Sequence, residues 1–183
     1  MRILALDLSK ASTGFASWGP GDAVVASGTW QLGSEMTSRG MVFARLHERM
    51  TDLHSVGAID ALFYEEPINP VQLQGHTTID TIKLALGLSG HVESWGEAMG
   101  CRIIRGVNNA TWRREFLGKL PKKSRTADLK HMAMTRCRDL GFRPAKHDEA
   151  DAIGLLDYAC DALQMIPPWR LANPLVAQFG AAR

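Results

Sequence analysis

Acidic side chains occur at three places in the sequence where a carboxylate would be buried among apolar residues or would lie close to another carboxylate. Asp7 interrupts an apolar run at the start of the chain. If this run forms a strand, it presents apolar side chains to both faces, as a strand inside a sheet does. Glu65 and Glu66 end a second apolar run, and Asp148 and Asp151 are spaced to share one face of a helix. A buried carboxylate is unfavourable unless a cation or hydrogen bonds compensate its charge.

Together these acids would suit metal-dependent phosphodiester chemistry. Carboxylates that converge in one pocket repel each other, so they normally imply a bound cation. Oxygen-only ligation suits Mg²⁺ or Mn²⁺ rather than Zn²⁺, and two such ions can activate a water and stabilise a leaving oxygen. Asp148 and Asp151 have a simpler alternative, since acids at the start of a helix interact favourably with its dipole. Asp7 is harder to explain without a cation, because its strand is apolar on both faces.

The elements that must position these acids include five strands and five helices. Periodicity predicts strands over residues 3–8, 13–18, 23–32, 59–65 and 101–105, and helices over 39–56, 77–99, 109–117, 125–140 and 148–165. Asn109 is predicted to cap the third helix. The first three strands can form an antiparallel meander, and the element order predicts an α/β fold with a mixed sheet covered by helices. We expect one domain over residues 1–165 and a C-terminal tail over 166–183.

The composition is that of a globular protein, with 45% hydrophobic and 22% charged residues. No apolar run is long enough to span a bilayer, and Asp7 and Lys10 interrupt the N-terminal run before a signal-peptide core can form. Cys101, Cys137 and Cys160 are odd in number and widely spaced, which predicts reduced thiols. We therefore expect a cytoplasmic protein without a membrane partner.

Charge is distributed unevenly, although the net charge is only +2. Residues 102–146 contain 13 Lys and Arg but three acids, a local charge of +10, and the remainder of the chain carries −8. A basic block beside an acidic remainder indicates a polyanionic partner. A solvated helical face would give the same charge pattern, so the basic block alone does not establish nucleic-acid binding.

The motifs that carry the acids resemble those of the RuvC family of Holliday junction resolvases, particularly its shorter, divergent phage-type members. The motifs occupy residues 3–9 with 13–16, 63–67 and 148–152, and the element order matches over about residues 1–160. The resemblance implies a ribonuclease H-like fold, in which a mixed five-stranded sheet of three antiparallel strands and then two parallel strands is flanked by helices. It also implies that a homodimer cuts branched DNA with Mg²⁺, for which Mn²⁺ would substitute.

Carried over by position, the resemblance assigns the catalytic and metal-binding roles to four acids: Asp7, Glu65, Asp148 and Asp151. Glu65 is preferred to Glu66 because it follows the apolar strand directly and shares a strand face with Ala61 and Phe63. Glu66 and His147 are possible auxiliary residues. His147 could assist as a base or an outer ligand, although a capping or surface histidine is the simpler interpretation.

The family also places basic residues before its penultimate helix, where they meet the scissile phosphate. The corresponding region here is rich in lysine and arginine, but its loop differs in length. The predicted DNA-binding residues are Arg113, Arg114, Lys119, Lys122, Lys123, Arg125 and Lys130. Trp112 beside two arginines would suit a nucleic-acid surface, whereas Trp95 and Phe116 are expected to pack in the core.

Two features concern how such a protein would engage and cut a junction. Members of the family commonly have an aromatic residue shortly after the second acid, but residues 67–70 read Pro-Ile-Asn-Pro here, which puts the family's mode of strand opening in doubt. The helix predicted over residues 77–99 is the candidate dimer interface.

Two other functions remain open at this stage. Residues 7–9 with 13–14 also resemble the first phosphate loop of actin-like phosphotransferases of the sugar-kinase class. The chain is too short for two lobes of that class and has no later glycine-rich phosphate loop. The basic block alone would satisfy a non-catalytic nucleic-acid-binding module.

Overall fold

A mixed five-stranded sheet forms the centre of the computed structural model, which describes residues 1–67, 78–120 and 125–171. The strands are β1 Ile3–Asp7, β2 Thr13–Trp18, β3 Ala26–Trp30, β4 Ala61–Glu65 and β5 Ile103–Val107. Their order is β3-β2-β1-β4-β5. β1, β2 and β3 are antiparallel, whereas β4 and β5 run parallel to β1. The predicted sheet, with three antiparallel strands followed by two parallel ones, is confirmed.

Helices cover both faces of this sheet. They are α1 Arg39–Val56, α2 Ile79–Ala98, α3 Asn109–Leu117, α4 Thr126–Asp139, α5 His147–Ala162 and the short α6 Pro168–Leu171. None of the helices in the described ranges combines the length and apolar composition that a membrane span requires. All three cysteines are free thiols.

Four of the five predicted strands have different bounds in the structure: β1 ends one residue earlier, β4 begins two residues later, and β3 and β5 differ more. β3 begins at Ala26 instead of residue 23, because Arg2 pairs with Asp22 and fixes a turn ahead of the strand. β5 is displaced by two residues toward the C-terminus, because its parallel register with β4 sets Ile103 opposite Ala61 and carries the pairing on to Val107.

The predicted cap of α3 is wrong by one residue. The side chain of Asn108 accepts a hydrogen bond from the Ala110 amide and caps the helix. Asn109 is the first helical residue, and its side-chain amide donates to the carboxylate of Glu65 instead. Both asparagines are chemically able to cap, so residue type alone could not separate them.

The two faces of the sheet bury separate apolar cores. Along β1, Ile3 and Ala5 point to one face, which α3, α4 and α5 cover, and we call this the α5 face. Leu4 and Leu6 point to the opposite face, which α1 and α2 cover, and we call this the α1–α2 face. Because side chains alternate along a strand, Asp7, two residues after Ala5, lies on the α5 face.

α5 is enclosed on all sides. It packs against β1 and β2 on its inner side and against α3 and α4 on its outer side. Every residue from Glu149 to Cys160 is buried as a result. The segment after residue 165 also reaches the core, where the buried Trp169 packs edge-on against Trp18 and donates a hydrogen bond to Asp157.

Candidate active site

Asp7 and Glu65 lie side by side at the carboxyl ends of neighbouring parallel strands. β1 and β4 pair in parallel with Leu6 opposite Tyr64, so Asp7 and Glu65 are the next residues along the register. The side chains of both residues lie on the α5 face of the sheet, with Ala5 and Phe63. Glu66 is exposed beyond the strand end, and its charge acts on Tyr64 of the α1–α2 face. The preference for Glu65 over Glu66 therefore agrees with the direction in which the strand presents its side chains.

The start of α5 brings two further acids to the same place. Asp151 is only 2% exposed and Asp148 is half-buried, and the charges of both act on Asp7. The approach depends on Gly14, which is paired with Asp7 across β1 and β2. A Cβ atom on Gly14 would lie 1.9 Å from the backbone oxygen of Asp148. Only glycine at this position lets the helix begin so close to the strand.

Basic and polar side chains from α3 and α4 meet these acids. Nη2 of Arg113 lies 2.7 Å from Oδ2 of Asp151 in a buried ion pair. Nζ of Lys130 lies 3.6 Å from Oδ1 of Asp148 in a more exposed one. Together with the amide of Asn109 on Glu65, these contacts compensate part of the negative charge that the fold concentrates here.

The compensation is incomplete, because burial and mutual repulsion still disfavour the charged forms of the acids. Burial raises the pKa of Asp7 well above its ordinary value, and the neighbouring charges of Glu65, Asp151 and Asp148 raise it further. Burial also raises the pKa values of Glu65 and Asp151, although the Arg113 guanidinium opposes the shift in both. The charged forms of three adjacent carboxyl groups are thus unfavourable as the chain stands.

The donor set fits a hard divalent cation. Oδ1 of Asp151 is buried and has no hydrogen-bond partner among the described residues, which leaves an oxygen lone pair available in the middle of the acids. Carboxylate oxygens are the ligands that Mg²⁺ and Mn²⁺ prefer. Within the described ranges, no three His, Cys, Asp or Glu side chains are already drawn together closely enough to hold an ion. Here the guanidinium of Arg113 occupies the other oxygen of Asp151.

The predicted DNA-binding residues divide into four groups. Arg114, Lys119 and Arg125 are exposed, and Lys130 is half-buried beside the acids. Lys122 and Lys123 lie outside the described residues. Arg113 is buried within the acidic cluster instead of on the surface.

Trp112 and His147 can also be located. Trp112 is fully buried, with the Arg113 guanidinium carbon 5.0 Å from its ring centroid, so it could not stack on a base without leaving the core. Phe116 and Trp95 are core residues, as predicted. His147 is exposed at the first position of α5.

Sequence reasoning missed the contributions of Gly14 and Asn109 to the site. Gly14 stands within a quoted motif, but its steric reason is visible only once α5 is docked. Asn109 was assigned to a helix end, and nothing in its type indicated that it would reach Glu65.

No model of a known protein family matches the sequence, and a comparison with curated protein sequences finds no match. Solved structures do match. RuvC of Thermus thermophilus, in complex with a Holliday junction substrate, aligns with a TM-score of 0.64 and 14% identity over 90% of this chain and 96% of its own. The yeast mitochondrial Holliday junction resolvase aligns with a TM-score of 0.56 and 14% identity, over 97% of this chain and 83% of its own.

The fowlpox virus Holliday junction resolvase is a more distant match, with a TM-score of 0.52 and 11% identity over 89% of this chain and 99% of its own. At these identities the likeness concerns the fold. Bacterial, yeast and viral resolvases all share the path of this chain over most of its length. Together with the strand order β3-β2-β1-β4-β5, these matches show that the chain has the RuvC-like resolvase fold of the ribonuclease H-like class.

Proposed function

We propose that this protein is a structure-selective DNA endonuclease that resolves Holliday junctions by metal-dependent phosphodiester hydrolysis. The observation that carries the proposal is the meeting of Asp7, Glu65 and Asp151 on the α5 face, in a fold that resolvases share. Acids with unfavourable charged forms, gathered at one edge of a sheet, are typical of a site that a divalent cation completes.

Four acids would hold the metal: Asp7, Glu65, Asp148 and Asp151. Two Mg²⁺ ions, or Mn²⁺ in their place, would supply an activated water and charge stabilisation for the leaving 3′ oxygen. Asp7 would be the central ligand of the four, because it ends β1, the central strand of the sheet, and the charges of the other three acids act on it. Asn109 holds Glu65 by its amide and so limits the directions that this carboxylate can adopt.

The basic residues around the site would bind the DNA backbone. Arg114 is exposed on α3, Lys119 in the loop that follows α3, and Arg125 at the start of α4, and Lys130 lies next to Asp148. Lys122 and Lys123 belong to the same stretch of sequence. Phosphate contacts of this kind release counterions, so junction affinity should fall steeply as the salt concentration rises.

A homodimer would explain symmetric cleavage, because a four-way junction has approximate two-fold symmetry. α2 is our candidate interface, and it presents Ile79 and Leu86 to solvent with 70% and 51% of their surfaces exposed. Gly90 lies on the same helix with open space around it, so a second helix could approach closely there. An isologous contact through α2 would give a dimer with two sites.

A cleavage assay on labelled four-way junction, flap and duplex DNA tests the function. With Mg²⁺ we expect paired nicks in the junction, little cleavage of duplex, and no product when a chelator replaces the metal. Junction binding without cleavage in Mg²⁺ or Mn²⁺ would contradict the proposal and support a non-catalytic binding module. ATP binding by calorimetry without junction affinity would instead support the phosphotransferase alternative.

A further inference from the structure

Among the described residues, Arg113 is the most deeply buried cation near the acids. Its side chain extends from α3, is 11% exposed, and lies against the buried ring of Trp112. The adjacent Arg114 points into solvent. A buried guanidinium is costly without a compensating carboxylate, so the fold commits Arg113 to the acidic cluster.

The charge of Arg113 acts on more than its direct partner. Arg113 is paired with Asp151 of α5, which faces Asp7 and Glu65 at the neighbouring ends of β1 and β4, and an opposite charge at close range favours the charged form of a carboxyl group. One guanidinium therefore stabilises the charged forms of three carboxyl groups that arise from β1, β4 and α5. These are the groups to which the proposed metal ions would bind.

The ion pair between Arg113 and Asp151 has one hydrogen bond instead of two. Arginine and a carboxylate commonly form two parallel hydrogen bonds, but here one nitrogen of Arg113 contacts one oxygen of Asp151. Nε of Arg113 and Oδ1 of Asp151 are both buried without a hydrogen-bond partner among the described residues. Such a pair is a weaker competitor for the carboxylate than a complete bidentate pair would be.

We infer that Arg113 is an internal counter-cation, which stabilises the acidic site when no metal is bound and gives up Asp151 when a divalent cation enters. The inference rests on the proposed function, because it requires that the acids bind metal. It assigns Arg113 a positioning role that is distinct from contact with DNA. It also predicts that Arg113 favours the metal-free protein and weakens metal binding.

The test compares Arg113→Gln with the wild type in chelator and in saturating Mg²⁺. In chelator we expect the variant's Tm to fall by about 10 °C, because a buried charge loses its partner. In Mg²⁺ the difference should shrink to less than about half of that, since the metal replaces the missing charge. Calorimetric titration with Mn²⁺ should give a dissociation constant at least about fivefold lower in the variant, because one repelling charge is gone.

Two further variants separate charge from packing. Arg113→Lys keeps the charge, so we expect an intermediate Tm in chelator and a Mn²⁺ affinity close to that of the wild type. Arg114→Gln removes the neighbouring exposed charge, and we expect it to change the Mn²⁺ affinity by less than about twofold because water and salt screen it.

Several outcomes would overturn the inference. One is an equal loss of Tm with and without Mg²⁺, which a residue needed only for packing on Trp112 would produce. An unchanged or weaker Mn²⁺ affinity in Arg113→Gln would be a second, and failure of the variant to fold even in saturating Mg²⁺ a third. If the wild type shows neither a Tm increase nor binding heat with either metal, the metal site fails, and the proposed function fails with it.

Discussion

The helices on the two faces of the sheet differ greatly in solvent exposure. On the α1–α2 face, α1 buries only Val42, Leu46 and Met50 and leaves its charged residues in solvent. On the α5 face, α5 is buried continuously from Glu149 to Cys160. A helix with one covered side can place charge freely, whereas a helix enclosed by a sheet and two helices must find a partner for every charge.

The buried acids of α5 differ in how completely that demand is met. Glu149 accepts hydrogen bonds from Ser27 of β3 and from the Ala145 amide, one on each oxygen. Asp157 accepts from the Trp169 indole and from the Arg170 guanidinium. Among the residues that the structure describes, Asp151 has a hydrogen-bond partner for Oδ2 but none for Oδ1. Of these three acids, the incompletely bonded one is Asp151, which lies beside Asp7, and this is what we expect of a proposed metal ligand rather than of a structural acid.

The largest expected effect comes from Asp7→Asn. This change keeps the shape of the side chain but removes the charge that metal binding would need, so we expect cleavage to fall by at least about 10³-fold. Junction affinity, measured by gel shift in chelator, should be retained. The Tm in chelator should rise, because the folded state no longer holds this unfavourable buried charge. Cleavage at the wild-type rate would remove Asp7 from the site.

Gly14→Ala tests whether the α5 face depends on close approach. The added methyl group would collide with the Asp148 backbone, so we expect a loss of about 3 kcal/mol in the free energy of unfolding and weaker Mn²⁺ binding. The matched control is Gly40→Ala in α1, where a Cβ atom meets nothing within 4 Å and stability should hold or rise slightly. Equal effects in denaturant titrations of the two variants would contradict the steric argument.

Asp157→Asn tests the division between structural and site acids. It weakens charge-assisted hydrogen bonds from Trp169 and Arg170, so we expect a loss of about 2 kcal/mol in stability. Mn²⁺ affinity measured by calorimetry should stay within about twofold of the wild-type value, because Asp157 lies outside the acidic cluster. A large loss of metal affinity without a loss of stability would reverse the two assignments.

The smallest effect should appear in the pH dependence of stability. The pKa values of Asp7, Glu65 and Asp151 are raised in the folded state, so their contribution is fully present below the ordinary carboxyl pKa and is lost as pH rises through the folded values. In chelator, the Tm of the wild type should therefore decline with rising pH more steeply than that of Asp7→Asn. Saturating Mg²⁺ should remove most of this difference, and parallel curves in chelator would argue against the raised values.

Much of the fold could be predicted from the sequence, because several elements carry their own signal. The apolar run that ends at Asp7 could only be a buried strand, and the spacing of Val42, Leu46 and Met50 predicted α1 correctly. Strand alternation also indicated that Glu65, and not Glu66, faces the other acids. In each case the relevant physics is local to one strand or one helix.

The remainder depends on how elements dock, which no single segment encodes. Arg113 and Arg114 are adjacent and chemically alike, and only the rotation of α3 against α5 sends one to Asp151 and the other to solvent. The position of β5 was predicted two residues too early, because its pairing with β4, and not its own composition, sets its bounds at Ile103 and Val107. The assignment of the four acids to metal came from a family resemblance and stays a prediction.

The enclosure of α5 has a consequence for when the proposed site can assemble during synthesis. Asp7 is made at the start of the chain, yet α5 follows most of the other elements and must insert between β1 and the α3–α4 pair. Contacts between such distant segments form late and slowly in folding. A nascent chain that has exposed only its sheet and first helices therefore lacks Asp148 and Asp151, so the four proposed metal ligands cannot come together until α5 has been made.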